Sequence, residues 1–177
     1  LRMDDDVYKM RQDQTVTVTF PITAGDNALS AELDGVLAVA WTTTPWTLPT
    51  NMALAVGPSV RYAVVPAGPN GTPQENPDAR YLLAEDLVGA YAKDLGYDDA
   101  EAARAAVTSV HLGSELAGLR YAPLWNYYAD TEKWGTQNAW RFVTADYVTT
   151  TDGTGIVHQA PAYGEDDQKI CEANGIP

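Results

Sequence analysis

Val36-Leu-Ala-Val-Ala-Trp-Thr-Thr-Thr-Pro-Trp-Thr-Leu-Pro-Thr-Asn51 is the stretch around which the chain is organised. Residues 36–40 are an unbroken apolar run of the kind a buried strand shows. The run leads into consecutive threonines and is stopped by Pro45 and Pro49. Proline has no backbone donor and restricts the residue before it, so the chain must leave the sheet here. Between Trp41 and Asn51 stand five threonines, two tryptophans and two prolines. Hydroxyls packed so densely, on backbone held open by prolines, suit a pocket that grips a polar ligand through short hydrogen bonds. The plainer alternative is a β-branched, strand-favouring run closed by an asparagine turn.

Working outward, residues 15–22 alternate as a first strand with Pro21 near its exit, and Gly25-Asp-Asn27 marks a turn. Short strands follow at 53–56, 62–65, 81–83 and 107–112. Residues 66–78 carry Gly, Pro and Asn with little apolar material, which predicts a mobile surface excursion. Leu87, Val88, Tyr91 and Leu95 recur at helical spacing and stop at Gly96. Asp98 and Glu101 have capping-box spacing before an alanine-rich run, predicting a second short helix. Residues 141–148 and 155–159 read as two strands joined into a hairpin through Asp152-Gly153. A terminal helix over 165–174 would end at Gly175. Short strands with helices between them, but no regular strand–helix alternation, predict an α+β fold. The expected core is a small, mostly antiparallel β-barrel with peripheral α-helices.

At 177 residues the chain, 1–177, is one domain's worth of sequence. Its formal charge of −13 argues against a surface that tracks a nucleic-acid backbone, which needs clustered Lys and Arg. A nucleic acid would therefore enter only by a terminus or a single nucleotide. Cys171 is the one cysteine, so no intrachain disulfide forms and a reducing compartment is the simpler expectation. The acidic start, residues 1–6, is no signal peptide, and no apolar run reaches membrane-spanning length. These features predict a cytoplasmic protein without membrane contact. Neither end has an evident terminal element of its own, which predicts a piece of something larger.

The second distinctive stretch is Gly153-Thr-Gly-Ile-Val-His-Gln-Ala-Pro-Ala-Tyr-Gly-Glu-Asp-Asp167. Glycines deliver His158 at the end of a strand, and a proline and a glycine turn the chain into a helix whose first turn holds Glu165, Asp166 and Asp167. The helix N-terminus favours ionised carboxylates there. A fixed carboxylate near an imidazole is a sensible receptor for a ligand ammonium group. Taken alone, Asp166 and Asp167 are more often helix-stabilising than functional, and the plain alternative for His158 is a satisfied core histidine. Metal binding has weak support from two histidines and no cysteine cluster. A nucleophile among Thr42, Thr43, Thr44 and Thr47, with His158 as base, ranks below a binding role.

Together these stretches resemble the editing domain inserted in the catalytic fold of isoleucyl-tRNA synthetases, of the class I family. Residues 41–51 look like that family's threonine-rich region, and 153–167 like its His/Asp region. Gly113-Ser-Glu-Leu-Ala-Gly-Leu-Arg-Tyr-Ala-Pro-Leu-Trp125 is similar to the connecting part. Valyl and leucyl relatives typically carry Arg after the paired threonines, where this chain has Thr44. Signatures of the His-Ile-Gly-His and Lys-Met-Ser-Lys-Ser types are absent, so amino-acid activation is not expected of this polypeptide.

The resemblance implies hydrolysis of the ester joining valine to isoleucine tRNA, with no cofactor and no metal. Its partners would be the 3′ end of tRNA(Ile) carrying valine and the remainder of the synthetase chain. One methylene separates the two amino acids too weakly for a single apolar pocket, a limit for which this family is itself the standing illustration. By motif position, the resemblance gives Asp167 the α-ammonium and Thr43, Thr44 and Thr47 the amino-acid and ribose end. His158 would reject isoleucine by bulk, and Trp46 and Asn51 would hold the loop in shape. Gly153 and Gly155 would let the backbone approach the terminal adenosine, and Thr42 and Asp166 complete the substrate-binding set. Two alternatives remain: a non-catalytic module that binds the aminoacylated 3′-adenosine, and a metal-dependent hydrolase using His158 and the acidic pair.

Overall fold

The computed structural model describes residues 16–151 and 153–177. The acidic start, Thr15 of the first expected strand and Asp152 lie outside the described residues. The strands are β1 (Val16–Thr23), β2 (Leu37–Thr42), β3 (Ala53–Val56), β4 (Arg61–Pro66), β5 (Arg80–Ala84), β6 (Ser109–Leu112), β7 (Arg120–Tyr121), β8 (Arg141–Thr144) and β9 (Ile156–Gln159). The helices are α1 (Ser30–Leu33), α2 (Ala100–Ala105), α3 (Gly113–Leu116), α4 (Thr131–Trp134) and α5 (Glu165–Ala173). Two 3₁₀ turns, Pro45–Thr50 and Glu85–Leu87, complete the described elements.

Six strands close on themselves in the order β1-β7-β8-β3-β9-β2, with β2 pairing back onto β1 from Thr42 opposite Val16 to Leu37 opposite Pro21. A closed barrel leaves no sheet edge to cover. Beyond it, β5, β4 and β6 continue the sheet outward from β2. Six of the nine pairings are antiparallel, so the expected fold class holds.

One edge of β2 is shared by two strands. Leu37 and Ala38 pair with β5, whereas Trp41 pairs with β9. The sheet therefore forks along β2, and its threonine end lies on the β9 branch.

Period-two alternation explains the packing. Phe20 and Ile22 of β1, Ala38 and Ala40 of β2, Leu54 and Val56 of β3, Tyr121 of β7, Phe142 of β8 and Ile156 of β9 belong to one buried cluster. The alternate residues Ala53, Ala55 and Val143 join Cys171 and Ile176 in another. Val39, Ala63, Val65 and Leu83 pack with Val88, Leu95 and Ala103 in a third. Because both faces of β3 are covered, all four of its residues are buried, and its sequence shows no polar alternation.

Three expectations need correction. β8 and β9 do not form a hairpin: β3 lies between them, parallel to β8 and antiparallel to β9. β8 ends at Thr144, and a turn closed by Val148 N–H to Ala145 C=O at 3.3 Å redirects the chain. Residues 87–96 form successive turns rather than an α-helix, with three-residue bonds such as Ala92 N–H to Gly89 C=O beside four-residue ones such as Leu95 N–H to Tyr91 C=O. Finally, α2 is capped by Asp99, whose Oδ1 accepts from Ala102 N–H at 2.8 Å, while Asp98 accepts from the Asn70 side chain. The excursion over 66–78 is exposed over much of its length but anchored. Gly68 N–H donates to Leu95 C=O at 2.7 Å, and the Tyr81 hydroxyl lies 2.7 Å from both Thr72 Oγ1 and Gln74 Oε1.

Gly155 immediately precedes β9 at φ +78°, and a Cβ there would stand 2.6 Å from Ala84 Cβ at the fork. Gly118 has φ +85° with open space around it. Gly118→Ala should therefore cost only the left-handed backbone penalty, about 1 kcal/mol. Gly155→Ala should cost distinctly more in urea unfolding, because Ala84 must also give way. Equal losses in the two variants would show that the close approach at the fork carries no weight.

Candidate functional site

The threonine loop and the His/Asp segment meet across one cleft of about 560 Å³. Thr42, Thr43, Thr44, Trp46 and Thr47 line one side. Gly153, Gly155, His158 and Asp167 line the other. Pro45 opens the 3₁₀ turn and Pro49 sits within it, so the turn tightens immediately after β2 instead of extending the sheet.

The hydroxyls are linked. Thr42 Oγ1 accepts from Thr44 N–H at 3.0 Å and lies 3.3 Å from Thr44 Oγ1. Thr44 Oγ1 lies 3.4 Å from Thr47 Oγ1, which donates to Thr44 C=O at 2.8 Å. Thr47 Oγ1 also stands 2.9 Å from His158 Nε2, joining residues 111 positions apart.

The direction of that last bond follows from its neighbours. Asn51 Nδ2 lies 3.0 Å from Ala53 C=O, which can only accept, so this terminal atom is the amide nitrogen. The same amide donates to His158 Nδ1 at 2.7 Å. His158 therefore accepts at Nδ1, carries its proton on Nε2, and donates to Thr47. Burial also keeps the ring neutral: desolvation lowers the His158 pKa from 6.5 to about 4. Tyr121, buried in the barrel, donates its hydroxyl to Asn51 Oδ1, and Trp140 Nε1 donates to Asn51 C=O at 3.0 Å.

These bonds sort the expected roles. Asn51 stands behind the cleft and not in its lining, bonded to Ala53 C=O and to His158. Trp46 lines the cleft and is 69% exposed there. Asp166 is exposed and outside the lining. Neither His158 as a base nor Thr47 as a nucleophile fits, since the histidine is a donor and the threonine proton is given to a carbonyl. No group of three His, Cys, Asp or Glu side chains among the described residues could hold a metal ion. Gly153 and Gly155 both have positive φ, and Gly153 packs where a Cβ would come within 3.0 Å of the Trp41 ring.

Asp167 occupies the first turn of α5 and reaches back to accept Ala160 N–H at 2.8 Å through Oδ2. Burial pushes its carboxyl pKa up, the Ala160 bond opposes this, and Asp166 adds a smaller upward push. Among the described residues no Lys, Arg or His pairs with it. A half-buried carboxylate without a cation is suited to receive one from a ligand.

Sequence reading missed Tyr147, Val148, Thr149 and Tyr163 in the lining. Tyr147 and Val148 fall within the strand expected over 141–148, which ends before them at Thr144. Tyr147 donates to Gln159 Oε1 at 2.8 Å, and burial, with Asp167 next, pushes its pKa up to about 12. The signal that could have found it was a polar, aromatic Asp-Tyr pair at 146–147 interrupting the apolar run.

The His158 environment has a measurable pH signature. Its folded pKa lies below the ordinary value, so its contribution to stability is whole above about 6.5 and lost as pH falls toward about 4. The full difference is worth roughly 3 kcal/mol. The stability advantage of wild type over His158→Gln, measured by urea unfolding, should shrink by about this amount between pH 7 and 4. An advantage independent of pH would mean that the ring is not held neutral by burial.

No protein-family model matches the chain. It is 68% identical to isoleucine–tRNA ligase of Leifsonia xyli, over all of this chain and 16% of that protein. Identity to the Corynebacterium diphtheriae ligase is 56%, over 97% of this chain and 15% of the ligase. The chain thus spans about one sixth of the length of these relatives. Among solved structures, the P. knowlesi cytosolic leucyl-tRNA synthetase editing domain superposes with a TM-score of 0.64 at 17% identity, covering 93% of this chain and 64% of that one. The P. falciparum counterpart gives 0.58 at 13% identity, over 86% and 54%. The chain is therefore homologous to a segment of isoleucine–tRNA ligases and has the fold of synthetase editing domains.

Proposed function

We propose that this chain is the editing module of an isoleucyl-tRNA synthetase, hydrolysing the ester of valine misattached to tRNA(Ile) and sparing isoleucine. The observation that carries the reading is the Thr47–His158 hydrogen bond at 2.9 Å, which joins the threonine-rich and His/Asp segments in one cleft. Asp167 takes the α-ammonium, matching a carboxylate that burial leaves in need of a cation. Thr43 and Thr44 bind the ester and ribose end. His158, rigid between Asn51 and Thr47, bounds the aliphatic side chain and excludes the extra methylene of isoleucine.

Water attacks the ester carbonyl carbon, the bond to the ribose oxygen breaks, and the proton passes to that oxygen, releasing valine and intact tRNA. Neither His158 nor Thr47 supplies a base, so catalysis rests on positioning and electrostatics, with a free ribose hydroxyl available to orient the water. No cofactor is required. Only the single-stranded 3′ end enters, consistent with a net charge of −13, and the rest of the synthetase delivers it.

The same absence of a base favours a second reading, in which the module binds the aminoacylated adenosine without cleaving it. Single-turnover deacylation of valyl-tRNA(Ile) separates the two. Cleavage by the chain, or by the full synthetase containing it, is expected; binding with no cleavage in either supports the second reading.

Asp167→Ala should abolish deacylation of valyl-tRNA(Ile) in the full synthetase while leaving isoleucylation intact. Unimpaired proofreading would remove Asp167 from the ammonium site. His158→Ala should make isoleucyl-tRNA(Ile) a substrate, and unchanged selectivity would end its role as a steric filter. In wild type, substrate binding should strengthen as pH rises through the raised Asp167 pKa. It should weaken again as the α-amino group loses its proton near about pH 8.

A further inference from the structure

Thr47, His158 and Asn51 have the composition of a nucleophile–histidine–amide relay, and they lie in that order at 2.9 and 2.7 Å. In a working relay the third group accepts a proton from the histidine, leaving the other ring nitrogen free to take the nucleophile's proton. Here the polarity is reversed. Asn51 donates to the ring, the ring donates to Thr47, and Thr47 donates to Thr44 C=O.

We propose that Tyr121 is a positioning residue for this site: its hydroxyl, given to Asn51 Oδ1, holds the amide in the one orientation that makes His158 a donor to Thr47. The geometry allows little else. Rotating the amide by half a turn would set Asn51 Oδ1 against Ala53 C=O, where the nitrogen now stands at 3.0 Å. It would also turn the amide nitrogen toward the phenol, which burial keeps protonated and which therefore has a proton to give. The phenol cannot withdraw, because Phe20 and Phe142 pack edge-on against its ring at centroid distances of 5.2 and 6.1 Å. A residue of the barrel interior thus acts with Ala53 C=O to set which ring nitrogen of His158 carries the proton.

The consequence, which rests on the editing reading, is chemical restraint. With His158 held as a donor, Thr47 Oγ1 has no base to take its proton. It does not attack the ester or become acylated by the amino acid that the site should release to water.

Nuclear magnetic resonance of the chain labelled with ¹⁵N-histidine reads the tautomer directly, and His111→Gln separates the signals of its two histidines. Wild-type His158 should carry its proton on Nε2. Tyr121→Phe should draw the two ring-nitrogen signals together as the Nδ1–H form becomes populated. The same variant should lose roughly fivefold in selectivity for valyl over isoleucyl ester, the scale of one neutral hydrogen bond. Asn51→Asp should invert the pattern and place the proton on Nδ1.

A wild-type ring protonated at Nδ1, or a folded Tyr121→Phe chain with unshifted signals, would overturn the proposal. If Tyr121→Phe does not fold, Asn51→Asp decides, since a ring still without a proton on Nδ1 would show that the tautomer is set elsewhere. Signals that respond as expected, in a chain that with its full synthetase cleaves neither ester, would uphold Tyr121 and sink the proposed function instead.

Discussion

The site depends on a line of hydrogen bonds pinned at both ends by backbone carbonyls. Ala53 C=O takes one proton of the Asn51 amide, and Thr44 C=O takes the proton of Thr47. Between them His158 has no freedom of rotation or tautomer without breaking a buried bond. Each break would strand a buried polar atom, a penalty of about 1–3 kcal/mol. A chamber meant to distinguish two side chains by one methylene needs a wall that does not move, and this arrangement supplies it. It also leaves the wall chemically quiet, so reactivity must come from water and substrate.

The barrel explains why such a line can exist. β2 carries the threonines out of the sheet at the end where its edge passes from β5 to β9, and β9 carries His158 beside them. β3, antiparallel to β9, sets Leu54 opposite His158 and Ala53 opposite Gln159, which places the anchoring carbonyl at the site. Tyr121 of β7 reaches the same point from across the interior. The site is thus held by four strands, β7 and β9 being distant in sequence from β2 and β3. The acidic helix α5 supplies Asp167 from outside the barrel, tied to the chain before it through Ala160.

Much of this was legible in the sequence where a local rule had no competitor. β2 through β5 coincide with apolar runs to within a residue or two, because burial on both faces leaves an unmistakable signal, and β9 falls within the expected 155–159. The threonine loop and the 153–167 segment stood out because proline, glycine and dense hydroxyls have little reason to cluster for packing alone. What failed were the inferences that needed partners. Gly153 suggested a hairpin, yet β3 offers both neighbouring strands a better apolar edge and separates them. The helical spacing of Val88, Tyr91 and Leu95 does bury an apolar face, but the segment bends in tight turns to lie on α2, with Gly89 close against the Arg104 guanidinium and Ala100. Tyr121 carried no local mark at all. Its importance lies in a contact with Asn51 seventy residues away, which only the folded chain displays.

The central claim is that residues 42–47 and 153–167 form one chamber for a valyl ester. A structure of the chain bound to a non-hydrolysable valyl-adenosine analogue tests it most directly. The account predicts the ammonium within hydrogen-bond distance of Asp167, the valine side chain against the His158 ring, and the adenosine toward Gly153 and Gly155. An analogue seated elsewhere, such as the concavity formed by residues 67–77, would contradict it.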